Sequence, residues 1–368
     1  MKVESLTVRN FRNIEEMDFV PDSGVNVIYG ENAQGKSNLL EAMWLFSGLR
    51  SFRGSKEKEL IRFGADAAQL KMEFNNDIRN LSAQLDIGEK KKAILGGVPQ
   101  SSSSKLIGEF LAIIFSPGNL ELVRGGPAER RKFINAALCQ LKPNYASRLS
   151  KFNRILQQRN ILLKDISYHS ELLDTLEIWD ERFAKFAAYL ILERENYLAE
   201  LEPFLTEFYE GISGGREKVG ISYSSDLSAE SKKPEELMQE IILSLKEHRR
   251  DDMLAGYTTA GPHRDDLTVT LNGMNVKTFG SQGQQRSCAL SMKMAEGSII
   301  RQFTGKQPVV LLDDVMSELD IHRQDYILNH IEGWQVFITC CEPSEILKTK
   351  SASGKMFEIK EGKICSST

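Results

Sequence analysis

The sequence predicts an α/β fold, a sheet carrying a glycine-rich loop, with a mostly helical second lobe inserted into it. Three observations predict it. A glycine-rich loop at residues 30–37 lies between a strand and a helix. An apolar strand near residue 310 ends in two aspartates. Between them, from Pro127 to about Gly211, the apolar residues recur at helical spacing.

In chain order, Val3, Leu6, Val8 and Phe19 alternate with polar residues, which predicts strands around a turn at residues 10–13. A strand at 25–29 runs into the glycine loop. A helix at 36–46 follows, with Leu39, Leu40, Met43 and Phe46 on one face. Residues 67–100 read as short strands and hairpins, with turns at 90–92 and 96–97 and a loop at 101–104. Tyr145, Leu149, Phe152, Leu156 and Leu163 share one helical face. A second long helix runs over about 171–209, with a kink expected at Pro203 and an end at Gly211, Gly214 and Gly215. A third helix fits 234–250. A strand at 267–271, a helix at 283–303, strands at 309–312 and 336–339, and a hairpin around Gly362 complete the chain. The predicted first lobe is 1–126 with 255–368, and the helical lobe is 127–254.

With 368 residues, 41% of them apolar, the chain can bury one large core or a core plus a satellite. No apolar run reaches bilayer length and no signal-peptide pattern follows Met1, so a soluble, cytoplasmic protein is expected. Five scattered cysteines lack metal-site spacing and read as reduced thiols. The net charge of −4 argues weakly against nucleic acid, so local charge must decide that question.

Three motifs carry chemistry. Gly30, Glu31, Asn32, Ala33, Gln34, Gly35, Lys36 and Ser37 match the Walker A pattern without a mismatch. The backbone N–H groups of such a loop wrap the phosphates of ATP, Lys36 reaches the β- and γ-phosphates, and Ser37 ligates Mg2+. The alternative, a bare glycine turn, does not need the strand before and the helix after. Second, Val309, Val310, Leu311 and Leu312 lead to Asp313 and Asp314, a Walker B pattern on a strand buried on both faces. Asp313 is the expected metal ligand. Asp314, with Lys36, is the expected catalytic group, orienting or deprotonating the attacking water. Third, Ser281-Gln282-Gly283-Gln284-Gln285 opens a helix before the Walker B strand and is similar to the ABC signature, with Gly280 and Gln282 replacing Leu and the first Gly. Ser281, the Gly283 amide and Gln284 are candidate γ-phosphate contacts; a plain helix cap on Ser281 is the alternative. Ser317-Glu318-Leu319-Asp320 is similar to a D-loop. Thr339 stands where many such ATPases place a switch His, and Arg12 is a candidate phosphate contact or a solvated turn arginine.

Charge is segregated. From Arg130 to Lys164 there are nine basic residues and no acid; from Asp165 to Glu210 there are twelve acids against three bases. Arg130, Arg131, Arg148, Lys151, Arg154 and Arg159 are the candidate DNA contacts, through phosphates rather than bases. Mutual neutralisation of the basic and acidic helices is the alternative.

In order along nearly the whole chain, several stretches resemble the RecF family of bacterial gap-repair proteins: Asn10-Phe11-Arg12-Asn13, the loop at 30–37 with Asn38-Leu39-Leu40-Glu41-Ala42, Ser51-Phe52-Arg53, Pro127 with Arg130-Arg131, Gly261-Pro262-His263-Arg264-Asp265-Asp266, Ser281-Gln282-Gly283-Gln284-Gln285-Arg286, and the stretch 311–320. Asn119 and Asn135 depart toward neutral residues, and Ser37 replaces the commoner Thr. The resemblance implies an SMC-like, ABC-type ATPase head without a long coiled coil. It implies ATP-dependent homodimers, weak DNA-stimulated hydrolysis, binding to double-stranded and gapped DNA, and work with RecR and in the RecO pathway to place RecA. A transporter subunit, a small-molecule kinase and an SMC-type tether are the rival classes.

Overall fold

The computed structural model describes residues 1–227, 231–344, 347 and 354–367. Contacts divide the chain into two compact units, Met1–Asn119 with Glu207–Arg216 and Ala289–Thr368, and Leu120–Thr206 with Glu217–Cys288.

The first unit opens with β1 (Lys2–Phe11), β2 (Ile14–Phe19), β3 (Val25–Tyr29) and α1 (Lys36–Trp44). It continues through β4 (Ala68–Asn75), β5 (Asn80–Ile87), β6 (Lys92–Leu95), β7 (Val98–Gln100) and β8 (Ala112–Phe115). In the second unit the chain forms α2 (Glu121–Arg124), α3 (Pro127–Leu141) and α4 (Pro143–Ile166). Next come α5 (Leu176–Ser213), β9 (Val219–Ser224), α6 (Pro234–Ala255), β10 (Asp266–Leu271), β11 (Met274–Asn275), α7 (Val276–Phe279) and α8 (Gln282–Thr304), with α5 from Glu207 and α8 from Ala289 counted in the first unit. The first unit is completed by β12 (Val309–Asp313), α9 (Ile321–His330), β13 (Val336–Cys340), β14 (Lys355–Lys360) and β15 (Lys363–Ser367).

Two sheets build the first unit. One is antiparallel, in the order β2-β1-β4-β5-β6-β7, and its strands alternate buried and exposed residues. The other runs β15-β14-β3-β13-β12-β8 and is parallel except for β15. All five residues of β12 and of β13 are buried, as a strand covered on both faces requires. A Gln335 side chain joins the sheets: it accepts from Val3 N–H at 2.6 Å and donates to Val3 O at 2.9 Å.

The second unit packs α3, α4, α5 and α6 with the small sheet β11-β10-β9. Tyr145, Phe152 and Leu163 of α4 are buried, and Leu149 and Leu156 half-buried, along the stripe read from spacing. The helix α5 continues through Pro203, where a kink was expected. The unit boundary also differs from the one read in the sequence. Residues 255–288 group with the helices, because β10 pairs along its whole length with β9 (Asp266↔Ser224 to Leu271↔Val219). Neither β8 nor β9 is announced by periodicity: β8 is four apolar residues and β9 has a glycine at its second position.

Candidate active site

Register puts the site together. In the parallel sheet Asp313 of β12 pairs with Thr339 of β13, and Thr339 pairs with Ile28 of β3. The strand ends carrying the glycine loop and the two aspartates are therefore level, with β13 between them.

The loop after β3 is held open by backbone geometry that only small residues reach. Gly30 has φ +143° and Gly35 φ +112°; a Cβ on Gly30 would lie 2.4 Å from Ile359 O, and one on Gly35 2.9 Å from Asn13 Oδ1. Ala33 is also left-handed, at φ +64°. The loop is braced from outside. Asn13 donates to Ala33 O at 3.1 Å, Glu361 N–H donates to Gln34 Oε1 at 2.6 Å, and Gly362 N–H donates to Gln34 O at 2.9 Å. Cys341 Sγ lies 3.1 Å from Asn32 Oδ1. Glu31, Asn32 and Ala33 are exposed. Lys36, 7% exposed, donates to Gly30 O at 2.6 Å and Glu31 O at 2.7 Å, so its ammonium lies inside the loop it is expected to serve. Lys36→Ala is expected to lower ATP affinity about a hundredfold, the upper range for a hydrogen bond from a charged donor, with an unchanged circular dichroism spectrum. A fluorescent-nucleotide titration checks it.

At the end of β12, Asp313 is 5% exposed. Burial raises its carboxyl above the usual range; hydrogen bonds from Ser37 and Thr339, and the charge of Arg53, oppose that rise. A buried carboxylate beside a serine hydroxyl is the donor set of a magnesium ion that shares its other positions with phosphate and water, so the residues present fit that ion. Asp314 is left-handed, at φ +54°, and its N–H donates to Thr339 Oγ1 at 2.9 Å. Thr339 Oγ1 is also 2.9 Å from Asp313 Oδ1, so one fully buried hydroxyl contacts both consecutive acids. The turn after it holds Ser317, whose hydroxyl donates to Asp314 O at 3.0 Å, and Asp320, which caps α9 through Arg323 N–H at 3.0 Å.

A matching family model, the AAA ATPase domain, covers residues 1–249. The DNA replication and repair protein RecF of Agathobacter rectalis is 40% identical over 366 residues, 99% of this chain and 99% of that one. The protein of the same name from Lachnoclostridium phytofermentans is 37% identical over the same shares. The chain belongs to the RecF family. A solved structure described as the recombination mediator protein RecF with ATP superposes with TM-score 0.92 at 36% identity, over 100% of this chain and 97% of that one. An Smc head domain from Pyrococcus furiosus superposes at TM-score 0.56 with 16% identity, over 100% and 96%, a likeness of fold alone. Among the described residues no helix is long and apolar enough to cross a membrane.

Several stretches that carried the RecF resemblance prove to be internal struts. Arg12 forms a fork on Glu41, Nε to Oε2 at 3.0 Å and Nη2 to Oε1 at 2.9 Å, and also donates to Ser55 and Glu59 O. Glu41 is fully buried on α1, and Arg12 neutralises it. Arg53, unremarked in the sequence beyond its motif, donates to Asn38 at 2.8 Å and acts on Asp313 by charge. In the second unit Arg130 is 5% exposed and grips Asp266 with two bonds, 2.6 and 2.8 Å. Arg159 is fully buried between Asp180 at 2.9 Å and Asp252 at 2.6 Å. Neither reaches solvent, which corrects their reading as DNA contacts. Arg131 donates to Arg264 O and Asp265 O. Arg148 is exposed and stacks 3.9 Å from the Tyr189 ring, and Lys151 and Arg154 are exposed on α4. The neutralising alternative thus holds for Arg159 with Asp180 and for Lys142 with Glu193, and not for 148–154. His263, in the Gly-Pro-His-Arg-Asp-Asp stretch, packs on Phe152 and Phe183, and burial brings its pKa down to about 4.

Ser281 caps α8 reciprocally. Its hydroxyl accepts Gln284 N–H at 3.3 Å, and Gln284 Oε1 accepts Ser281 N–H at 2.6 Å. The cap leaves Ser281 and Gln282 exposed and Gly283 half-exposed at the helix N-terminus.

Proposed function

We propose that the chain is an ATP-driven, DNA-binding switch of recombinational repair. Two copies close around ATP, the Ser281, Gly283 and Gln284 turn of one copy completing the phosphate site formed by Lys36, Ser37, Asp313 and Asp314 of the other. The observation that carries this is the level alignment of the glycine loop, Thr339 and the two Walker B acids. When bound, magnesium would supply positive charge against the negative charge that develops during phosphoryl transfer. Ser37 and Asp313 would hold that ion, Lys36 neutralises the β- and γ-phosphates, and Asp314 orients the attacking water and takes its proton. Hydrolysis is slow, stimulated by DNA, and ends the closed state. Support for the repair role comes from the relatives' names and from a solved relative described as belonging to the RecFOR pathway. RecR, the RecO pathway and gapped duplex are the partners this reading takes.

Arg148, Lys151 and Arg154 are the DNA contacts retained: all three are exposed, and among the described residues none forms an ion pair with a carboxylate. Replacing all three with Gln is expected to weaken duplex binding and to flatten the slope of log affinity against log salt by about two to three, near one per lost phosphate contact. Titrations of gapped duplex at several salt concentrations, with and without a slowly hydrolysed ATP analogue, check it. ATP is expected to tighten binding in the wild type by joining two such faces. A triple variant that binds as wild type does would leave α4 as a solvated surface. A wild type that ignores DNA under every condition would end the repair reading.

A further inference from the structure

We infer that Arg124 is the positioning residue of the signature turn, and that it acts through Gln285. Arg124, on α2, donates from Nε to Gln285 Oε1 at 2.6 Å. Gln285 is 7% exposed, and its Nε2 donates to Val276 O at 3.1 Å and to Lys277 O at 3.4 Å. Only one sense of the amide satisfies these partners. Flipped, its NH2 would face a guanidinium and its oxygen two carbonyls. Arg124 therefore selects the Gln285 orientation that clamps α7, and α7 delivers the chain into Ser281.

The turn is tight enough for this clamp to matter. Gly280 N–H donates to Val276 O at 3.0 Å, and a Cβ on Gly280 would lie 2.6 Å from that same oxygen. This accounts for glycine where the ABC signature commonly has leucine. The strap that carries Arg124 is fixed to α7 by Lys277 Nζ, which donates to Gly125 O at 3.0 Å, and to α3 by Arg130 Nη1, which donates to the same oxygen at 2.9 Å. On its other flank Gln284 is held by Glu217. Without Arg124, the buried Gln285 oxygen loses a charged donor, and the amide is free to turn away from α7. Ser281 and the first amides of α8 would then sample several directions, while the phosphate loop at 30–37 keeps its own bracing.

The inference rests on the shared-site dimer proposed above. Its test compares Arg124→Ala, Arg124→Lys and Ser281→Arg in the full chain. Two readouts are taken: fluorescent ATP titration of the monomer, and sedimentation with a slowly hydrolysed ATP analogue. Arg124→Ala is expected to bind ATP as wild type does and to dimerise about tenfold more weakly, the loss of one charged hydrogen bond at the turn. Arg124→Lys, which keeps a cationic donor, is expected to recover most of the dimer. Wild-type dimerisation of Arg124→Ala would overturn the inference. So would equal losses of ATP affinity and dimerisation in both Arg124 variants, since a general folding defect then explains them. Ser281→Arg separates the premise: if it dimerises normally, the shared site itself fails. If it stays monomeric while Arg124→Ala dimerises normally, only the role of Arg124 fails.

Discussion

Asp314→Asn is expected to keep ATP affinity while slowing turnover about a hundredfold to ten-thousandfold, the usual contribution of a positioned general base. The substitution preserves size, and it preserves the N–H that donates to Thr339 at 2.9 Å. Asparagine also tolerates the left-handed φ of +54° at this position, so the backbone has no reason to move. What is lost is a carboxylate able to accept a proton from water. Ground-state contacts from Lys36, Ser37 and Asp313 remain, so the ATP-bound dimer is expected to accumulate. Single-turnover hydrolysis and sizing in ATP read the two effects separately. Turnover at the wild-type rate would move the base elsewhere, with Asp313 as the first alternative.

The nucleotide loop was legible because its signal is local: a strand, three small residues at fixed offsets, a lysine and a helix are contiguous in sequence. The order of the strands was not, because parallel pairing leaves no trace in either strand alone. That β13 lies between β3 and β12, and so brings Thr339 to both acids, follows only from the register. The charged residues of α4 show a different limit. Arg148 and Arg159 are eleven residues apart, three turns, and so lie at nearly one azimuth of the helix. One is exposed and the other fully buried, because Asp252 of α6 and Thr258 cover only the Arg159 end. Spacing reports the face of a helix, and a cover supplied ninety-three residues later decides which part of that face sees water. The pairing of Arg130 with Asp266, and of Arg12 with Glu41, escaped the sequence for the same reason.

Arg159→Ala is expected to be the most destabilising single change, by about 3–5 kcal/mol, the cost of leaving buried charge without its partner. Asp252 is fully buried and Asp180 is 1% exposed. Arg249, 3.2 Å from Asp180, would still serve that carboxylate. Among the described residues Asp252 would keep Thr259 alone, which donates from its N–H and hydroxyl at 2.7 and 2.6 Å. Arg148→Gln, on the exposed part of the same face, is expected to cost no more than about 0.5 kcal/mol. Urea unfolding of the two variants makes the comparison. Similar midpoints would mean that Arg159 is not the buried partner described.

The parallel sheet has a consequence for how the protein is made. The strand β3 pairs only with β13 and β14, and the buried Asn26 on it bonds to Val336 O, 310 residues further along. On a ribosome adding about 5–20 residues per second, β3 waits on the order of 15–60 s for its neighbours. Throughout that interval the glycine loop has no Ile359, Glu361 or Gly362 against which to set its shape. An unfinished chain therefore lacks the contacts that set the shape of its glycine loop. It also presents an unpaired apolar strand for most of its synthesis, the kind of surface that aggregates unless it is covered.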